Sequence, residues 1–341
     1  MDEVVARAFP RAGLLGNPSD LYGGRVIAFT FADFRAEARV TGIGPRGEAA
    51  AGERRVVLRA GAGSERVARS REELAALLRA EEADGGARLL AAALARFERH
   101  CAGRRIGTAT RPVRLALSFE SDVPRQVGLA GSSAVIVAAL RALAAYFEVE
   151  LSPAELAELA LRAETDELGL TAGPQDRVVQ AWQGLVHMDF SGPSATGATE
   201  RLDPRLLPPV FVAWDFEPGA SSGEVHDDVL VRFRAGEERV VRAIGLLRGL
   251  ADEGRACLEA GALERLRELV DLNFDTRAAI WTLSERDLEL VAIGRRAGAA
   301  VKLTGSGGAV LGVARAAADL ARIERAYAAA GYPFLVPEVV E

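Results

Sequence analysis

The feature that most limits how this chain can fold is residues 124–147, where a segment of small residues runs directly into a long apolar segment. The sequence of this stretch is PRQVGLAGSSAVIVAALRALAAYF. Its apolar residues recur at helical spacing, so we predict a helix whose first turn carries the small residues. One helix face must then lie in a core, while the glycines and serines gather at the helix start.

A helix start presents backbone N–H groups without partners and a partial positive charge. Glycines such as Gly128 and Gly131 let a ligand approach that backbone closely, and serine hydroxyls can bind phosphate or a metal ion. The stretch therefore has the properties of a phosphate cradle. A serine N-cap on a core helix, preceded by a tight turn, would give the same pattern.

Composition excludes several classes of protein. The 341 residues suffice for two domains, and 49% of them are hydrophobic, which supports large cores. The net charge of -6 argues against binding nucleic acid through bulk charge. The two cysteines make neither a disulfide framework nor a zinc cluster.

We see neither a secretory signal nor an apolar run long enough to span a membrane. We therefore expect a cytoplasmic protein with no membrane partner and no nucleic-acid partner. Its oligomeric state, monomer or homodimer, is left open.

A single lysine stands out among 42 basic residues. Lys302 lies on a predicted strand, and the glycine-rich segment TGSGGA follows it at residues 304–309. This segment is a second candidate phosphate cradle, beside which a compact ammonium can act where a guanidinium cannot. It is not a Walker A loop, because Lys302 lies outside any GxxxxGK[ST] pattern.

Two further stretches combine turn-forming and polar residues. Residues 8–24 are either an ordinary surface turn or the lining of a polar ligand site. Asp176 lies in a Gly-Pro turn beside Arg177 and is either a helix cap or a general base. Residues 42–47 form a literal GxGxxG, but no periodic helix follows it, so we predict a hairpin connection there.

Three motifs taken in this order resemble the GHMP kinase superfamily of small-molecule kinases. They are RAGLLGNPSDLYGG at residues 11–24, PRQVGLAGSSA at residues 124–134 and KLTGSGGAV at residues 302–310. Together they extend over most of the chain. The resemblance implies a two-domain α+β fold, with a ribosomal S5 domain 2-like N-terminal domain (residues 1–200) that holds the ATP-binding loop and a ferredoxin-like C-terminal domain (residues 201–341).

Further segments resemble the glucuronokinase branch of this superfamily. They are GPQDRV, GLVHMDF and LNFDTR. Galactokinases carry Glu-His before Thr-Asp-Tyr, whereas this chain has Asn17-Pro18 before Ser19-Asp20, which argues against galactose as a substrate. The implied activity is transfer of phosphate from ATP to the anomeric hydroxyl of D-glucuronate, with Mg²⁺ as cofactor.

The resemblance also assigns roles to individual residues. Asp176 would accept the proton of the sugar hydroxyl, and Arg11 would lie near the transferred phosphate. Ser133 (or Ser132) and Glu164 would hold Mg²⁺. The implied ATP-binding residues are Pro124, Gly128, Leu129, Ala130, Gly131, Ser132, Ser133, Ala134, Lys302, Gly305, Ser306 and Gly307. The implied substrate-binding residues are Asn17, Ser19, Asp20, Tyr22, Arg125, Arg177, Arg277 and Gly308.

The sugar carboxylate needs a cationic partner, and Arg125, Arg177, Arg277 and Lys302 all lie in or beside the matched motifs. The sequence does not choose among them. Two alternative functions remain. One is a sister kinase acting on galacturonate, a neutral sugar or a heptose phosphate; the other is a non-catalytic sugar sensor on the same fold.

Overall fold

A computed structural model of the chain describes residues 3–43, 54–61, 65–80, 85–109, 113–216 and 222–341, with the side chains of 222–227 excepted. The chain divides into two compact units that alternate along the sequence. The first is made of Met1–Phe9, Phe34–Val123 and Gly131–Ala172, and the second of Pro10–Asp33, Pro124–Ala130 and Gly173–Glu341. The expected consecutive domains, 1–200 and 201–341, stay a prediction.

Strands and helices are both abundant in the described residues. The strands are β1 (Glu3–Ala8), β2 (Arg11–Leu15), β3 (Arg25–Thr30), β4 (Ala36–Gly42), β5 (Arg55–Ala60), β6 (Glu65–Ala68), β7 (Arg114–Ser121), β8 (Leu185–Asp189), β9 (Ala198–Leu202), β10 (Val210–Trp214), β11 (Ala300–Leu303), β12 (Ala309–Val313) and β13 (Phe334–Leu335). The helices are α1 (Arg71–Arg79), α2 (Gly85–Arg104), α3 (Gly131–Tyr146), α4 (Pro153–Arg162), α5 (Gln175–Trp182), α6 (Ser222–Arg234), α7 (Glu238–Ala260), α8 (Leu263–Ala278), α9 (Glu285–Arg296) and α10 (Leu320–Ala329).

The first unit is a five-stranded sheet in the order β1-β4-β7-β5-β6, against which α2 and α3 pack. Helix α3 begins at Gly131, so its first turn carries small residues as predicted, and it is buried almost all round because it contacts the sheet, α2 and α4. Its apolar segment therefore lies in the core of this unit. The glycines and serines stay at the end where the helix begins.

The predicted hairpin between β4 and β5 is wrong. Both strands instead flank β7, with β4 antiparallel and β5 parallel to it. Residues 44–53 lie outside the described residues. They include most of the GxGxxG motif at residues 42–47. The pairing was missed because β7 comes more than fifty residues after β5 in the chain.

The second unit contains two four-stranded sheets, β2-β3-β8-β9 and β11-β12-β10-β13. Residues 8–24 are not a surface turn, because β2 is buried along its whole length and Asn17, Ser19 and Asp20 are buried too. A register shift between Gly13 and Leu15 interrupts the pairing of β2 with β3. The polar residues of this stretch thus point into the unit rather than toward solvent.

Two elements near the end of the chain differ in their boundaries from what the sequence pattern predicts. The sequence pattern predicts a helix over residues 314–330, but α10 begins only at Leu320, and the strand that the pattern predicts over residues 332–339 is reduced to β13. The glycines and serines of residues 217–223 predict a loop, but most of this segment lies outside the described residues, and its last two residues belong to α6.

None of the described helices combines the length and apolar character that a membrane crossing requires. Both cysteines, Cys101 and Cys257, are buried free thiols. The expected cytoplasmic location stays a prediction.

Candidate active site

The two glycine-rich loops of the second unit lie against each other. Thr304 Oγ1 donates a hydrogen bond to Gly128 O at 3.1 Å. A Cβ added at Gly128 would lie 2.6 Å from Gly307 O, and one added at Gly305 would collide with Gly128 O. This close approach requires glycine at both positions. Residues 305–308 therefore pack against the loop that precedes α3.

The first loop has an unusual backbone. Gln126, Gly128 and Ala130 have φ values of 55°, 72° and 59°, and such a conformation costs a non-glycine residue about 1–3 kcal/mol. Neighbouring groups hold the loop in this form: Arg11 N donates to Leu129 O, and the Gln180 side chain donates to Ala130 O. Strain held in this way is typical of a binding site.

Arg11 and Asp176 form an ion pair at the base of the loop. Arg11 Nε donates to Asp176 Oδ1 at 2.6 Å, and Arg11 Nη1 donates to Gly128 O at 2.6 Å. The Arg11 side chain is 4% exposed and that of Asp176 is 16% exposed. Strand β2 supplies the arginine and the first turn of α5 the aspartate. One arginine thus joins the candidate base to the candidate phosphate loop.

Asp20 lies beside this pair, and only one of its two carboxylate oxygens has a hydrogen-bond partner among the described residues. Its Oδ2 accepts a hydrogen bond from Gln175 N at 3.2 Å, whereas its buried Oδ1 has no hydrogen-bond partner within the described part of the chain. Burial raises the pKa of Asp20 to about 6, and the charge of Asp176 acts in the same direction. Oδ1 is therefore an acceptor available to a ligand hydroxyl.

Two buried arginines add positive charge near the loops. Arg277 donates to the carbonyls of Gly305 and Ser306 and lies 5.7 Å from the ring of Trp281. Burial, with repulsion from Arg11 acting in the same direction, lowers the pKa of Arg277 to about 10 and that of Arg177 to about 9. In this part of the second unit, cationic side chains thus outnumber the carboxylates beside them, which favours anionic ligands.

Lys302 is fully buried at 1% exposure. Its Nζ donates to Gly13 O at 2.7 Å, to Asn17 Oδ1 at 2.6 Å and to Leu303 O at 2.8 Å. Protein oxygens therefore occupy all three N–H donors of the ammonium. The predicted contact of Lys302 with ATP stays untested.

Ser133 and Glu164 meet within the first unit. Ser133 Oγ donates to Glu164 Oε1 at 2.8 Å, and the residues are 1% and 2% exposed. Glu164 lies on a π-helical turn, Ala163–Glu167, that continues α4, and such turns are frequent at functional sites. A hydroxyl and a carboxylate are the hard oxygen donors that Mg²⁺ prefers, so the pair fits this ion. In the described residues no group of three or more His, Cys, Asp or Glu side chains is arranged to hold a metal.

The remaining predicted residues differ in exposure. Ser132 and Arg125 are exposed, whereas Ala134, Leu129 and Tyr22 are buried. Residues Pro124, Gly131, Ser306, Gly307 and Gly308 are half-buried, while Gly305 is buried. Ser19 donates its hydroxyl to Arg25 O at 3.2 Å and thereby braces its own turn.

Three residues that connect the motifs were given no individual role from the sequence, although Asn273 and Thr304 lie within quoted segments. Asn273 accepts from Gly16 N at 2.8 Å and donates to Asn17 O at 3.0 Å. Asp287 lies in the first turn of α9, which Ser284 caps, and its carboxylate accepts from Gly308 N at 2.7 Å. Thr304 is the third, through its bond to Gly128. One signal was present for Asn273: it lies four residues before Arg277 and so on the same face of α8.

Comparison with known proteins places the chain in a family. Residues 88–184 match the model of the GHMP kinases N terminal domain. Glucuronokinase 1 of Arabidopsis thaliana is 36% identical over 317 residues, which cover 90% of this chain and 84% of that protein. Probable glucuronokinase 2 of the same plant is 36% identical over 320 residues, which cover 89% of this chain and 82% of that protein.

Solved structures agree on the fold. The Lactococcus lactis galactokinase complexed with galactose superposes with a TM-score of 0.80 at 14% identity, covering 99% of this chain and 94% of that chain. The α+β GHMP kinase fold expected from the motifs is thus confirmed. Because two relatives are 36% identical over most of both chains, this chain belongs to the GHMP kinases and is a phosphotransferase with an alcohol group as acceptor.

Proposed function

We propose that this GHMP kinase transfers the γ-phosphoryl group of ATP to the anomeric hydroxyl of D-glucuronate, giving D-glucuronate 1-phosphate and ADP. The observation that carries the proposal is the pairing of Arg11 with Asp176 beneath the loop at Gly128. In this pair, Asp176 can accept the proton of a hydroxyl, and Arg11 supplies positive charge for a phosphoryl group. The similarity to two plant proteins named as glucuronokinases supports the choice of sugar.

The reaction needs positioning and charge neutralisation more than covalent chemistry. In our proposal the sugar C1 oxygen forms a bond to the γ-phosphorus, and the bond from that phosphorus to the β,γ-bridging oxygen breaks. Asp176 takes the proton of the C1 hydroxyl, and the electron pair of the broken bond leaves with ADP. Arg11 lies beside the transferred group and stabilises its negative charge.

Asp20 is proposed to bind a sugar hydroxyl through Oδ1, which is buried and has no hydrogen-bond partner within the described residues. Arg177 and Arg277 are proposed to favour the sugar carboxylate by their positive charge. Both are buried close to the Arg11 pair, whereas Arg125 is exposed.

Mg²⁺ is proposed to be held by Ser133 and Glu164, whose oxygens already meet within hydrogen-bond distance. When bound, the ion neutralises phosphate oxygens of ATP and fixes their orientation. The glycine-rich backbone before α3 is proposed to receive those phosphates, since a helix start favours anions.

The test is ADP release with a panel of acceptors: D-glucuronate, D-galacturonate, D-glucose, D-galactose and a heptose 7-phosphate. The heptose phosphate is included because a Campylobacter jejuni heptose 7-phosphate kinase is 35% identical over 80 residues. We expect the highest kcat/KM with D-glucuronate. A higher kcat/KM with another acceptor would identify a sister kinase, and ADP release with none would favour a sensor.

A further inference from the structure

Lys302 occupies a position that no phosphate contact explains. The residue is 1% exposed, and its ammonium donates to Gly13 O, Asn17 Oδ1 and Leu303 O at 2.6–2.8 Å. An ammonium has three donors, and these three oxygens use all of them. A residue of this kind is placed to hold other protein groups rather than a ligand.

Two of the three acceptors belong to one short segment, residues 13–17, which comprises the end of β2 and the turn that follows it and is called the 13–17 turn below. The third belongs to β11, the strand that leads into the second glycine-rich loop. Lys302 therefore ties the turn to the root of that loop. A second hydrogen bond connects the same turn to this loop, because Asn17 Nδ2 donates to Thr304 O at 3.2 Å.

The turn connects two residues of the proposed chemistry. Arg11, which pairs with Asp176, lies two residues before it, and Asp20 lies three residues after it. A shift of about 1 Å in the turn would move both groups, and misplacement of that size lowers rates steeply. The turn is thus a part of the scaffold whose position matters for sugar binding.

Lysine is chemically distinct at this position. Positive charge elsewhere in the chain comes from arginine, since Lys302 is the single lysine among 42 basic residues. A compact ammonium directs three donors from one atom, whereas the guanidinium spreads five donors over a plane. Three converging oxygens suit the ammonium and would be overpacked by a guanidinium.

We propose that Lys302 is a positioning residue that holds residues 13–17, so that its loss weakens sugar binding and turnover while leaving nucleotide affinity unchanged. The expected effect on sugar binding rests on the proposed function. The burial and contacts of the Lys302 ammonium can be tested without any sugar.

The first test uses amine acylation, because the chain offers only two amines, its α-amino group and Lys302. Native protein is treated with N-hydroxysuccinimidyl acetate, with and without ATP, and measured by intact mass. We expect one acetyl group in the native protein in either condition, and a second only after unfolding in guanidinium. A second acetyl group in the native protein, blocked by ATP or not, would overturn the proposal.

The second test separates nucleotide from sugar. For Lys302→Met, an apolar side chain of similar length, we expect the Kd for ATP, measured by calorimetry without sugar, to stay within about threefold of wild type. We expect the sugar KM to rise by about tenfold or more and kcat to fall. A comparable loss of ATP affinity with an unchanged sugar KM would contradict the proposal.

Two further variants distinguish positioning from a general loss of stability. Lys302→Arg keeps the charge, yet we expect it to fail to restore the sugar KM. Asn17→Ala combined with Lys302→Met should be markedly less damaging than the sum of the two single changes, since both break the same bond. Additive effects would contradict the proposed coupling. If D-glucuronate proves not to be the acceptor, the acylation and nucleotide results still decide the role of Lys302.

Discussion

Arg11 Nε lies 2.6 Å from Asp176 Oδ1, although 165 residues separate them in the chain. The same guanidinium donates to the carbonyl of Gly128, so one cation contacts both the candidate base and the candidate phosphate loop. Removing either partner leaves the other buried without its charge complement, which typically costs several kcal/mol, of order 3–5. Substitutions here must therefore be chosen to preserve shape.

The first prediction concerns Asp176. Asp176→Asn keeps the size of the side chain but cannot take the proton of a hydroxyl, so we expect kcat to fall by about 10²–10⁴-fold. Steady-state kinetics measure this, with circular dichroism to verify folding. Asp189→Asn is the matched control, because it breaks an arginine pair with Arg25 on the β8 side of the same unit and should keep kcat near wild type. Equal losses in both variants would point to stability rather than catalysis.

The second prediction concerns Asp20 and pH. Burial and the charge of Asp176 raise the pKa of Asp20 from 3.8 to about 6. A carboxyl with a raised pKa favours the folded state below its unfolded pKa, and that contribution is lost as the pH rises through about 6. Asp20→Asn removes the buried charge, so we expect it to be more stable than wild type at pH 7 by about 1–3 kcal/mol.

Urea denaturation at pH 7 and at pH 4 measures the difference for Asp20. The gain in the free energy of unfolding should shrink as the pH falls from 7 toward 4, and the variant should have a higher sugar KM at pH 7. A variant that is less stable than wild type at pH 7 would show that Asp20 is satisfied in the free protein.

The third prediction concerns the contact between the glycine-rich loops. Gly128→Ala adds a Cβ that would lie 2.6 Å from Gly307 O and also requires an alanine at φ 72°. Gly261→Ala is the matched control, because Gly261 has φ 64° but no neighbouring atom within 4 Å of its added Cβ. Both should lose about 1–2 kcal/mol of stability from the backbone term.

Only Gly128→Ala should also weaken ATP binding, because only there do the two loops have to move apart. Calorimetric titration with ATP gives the comparison. If both alanine variants bind ATP like wild type, the close approach of the loops is not needed for nucleotide binding.

The fourth prediction separates two adjacent serines. Ser133 Oγ is buried against Glu164, whereas Ser132 is exposed. We expect Ser133→Ala to raise the Mg²⁺ concentration needed for half-maximal activity by about tenfold, since one oxygen ligand is lost. Ser132→Ala should leave the Mg²⁺ requirement unchanged. The reverse order would assign the metal to Ser132.

Local signals in the sequence were sufficient for several elements. The change from small to apolar residues predicted that the first turn of α3 carries the small residues, and the sequence Ser-Pro-Ala-Glu at residues 152–155, which is typical of a capping box, indicates the start of α4. These features depend on neighbours within about one helical turn, which the sequence displays directly. The π-helical turn that carries Glu164 was not predicted, because an extra residue in a turn depends on packing rather than on local spacing.

Long-range contacts were beyond the reach of the sequence. The turn formers of residues 8–24 indicated a loop, yet β2 forms because it pairs with β3, and Gly13 has Thr304 O within 2.8 Å of an added Cβ. The bond between Lys302 and Gly13 spans 289 residues. The motifs indicated that these segments belong to one site, but not which atoms meet, so the roles of individual residues stay predictions.

The most direct test of the account is the product formed from ATP and D-glucuronate, observed by ³¹P NMR with wild-type protein and with Asp176→Asn. We predict that wild type gives ADP and a sugar phosphate whose phosphorus is coupled to the anomeric proton, and that the variant gives almost none in the same time. Phosphate on another carbon, no D-glucuronate-dependent product, or an undiminished rate with Asp176→Asn would contradict the account.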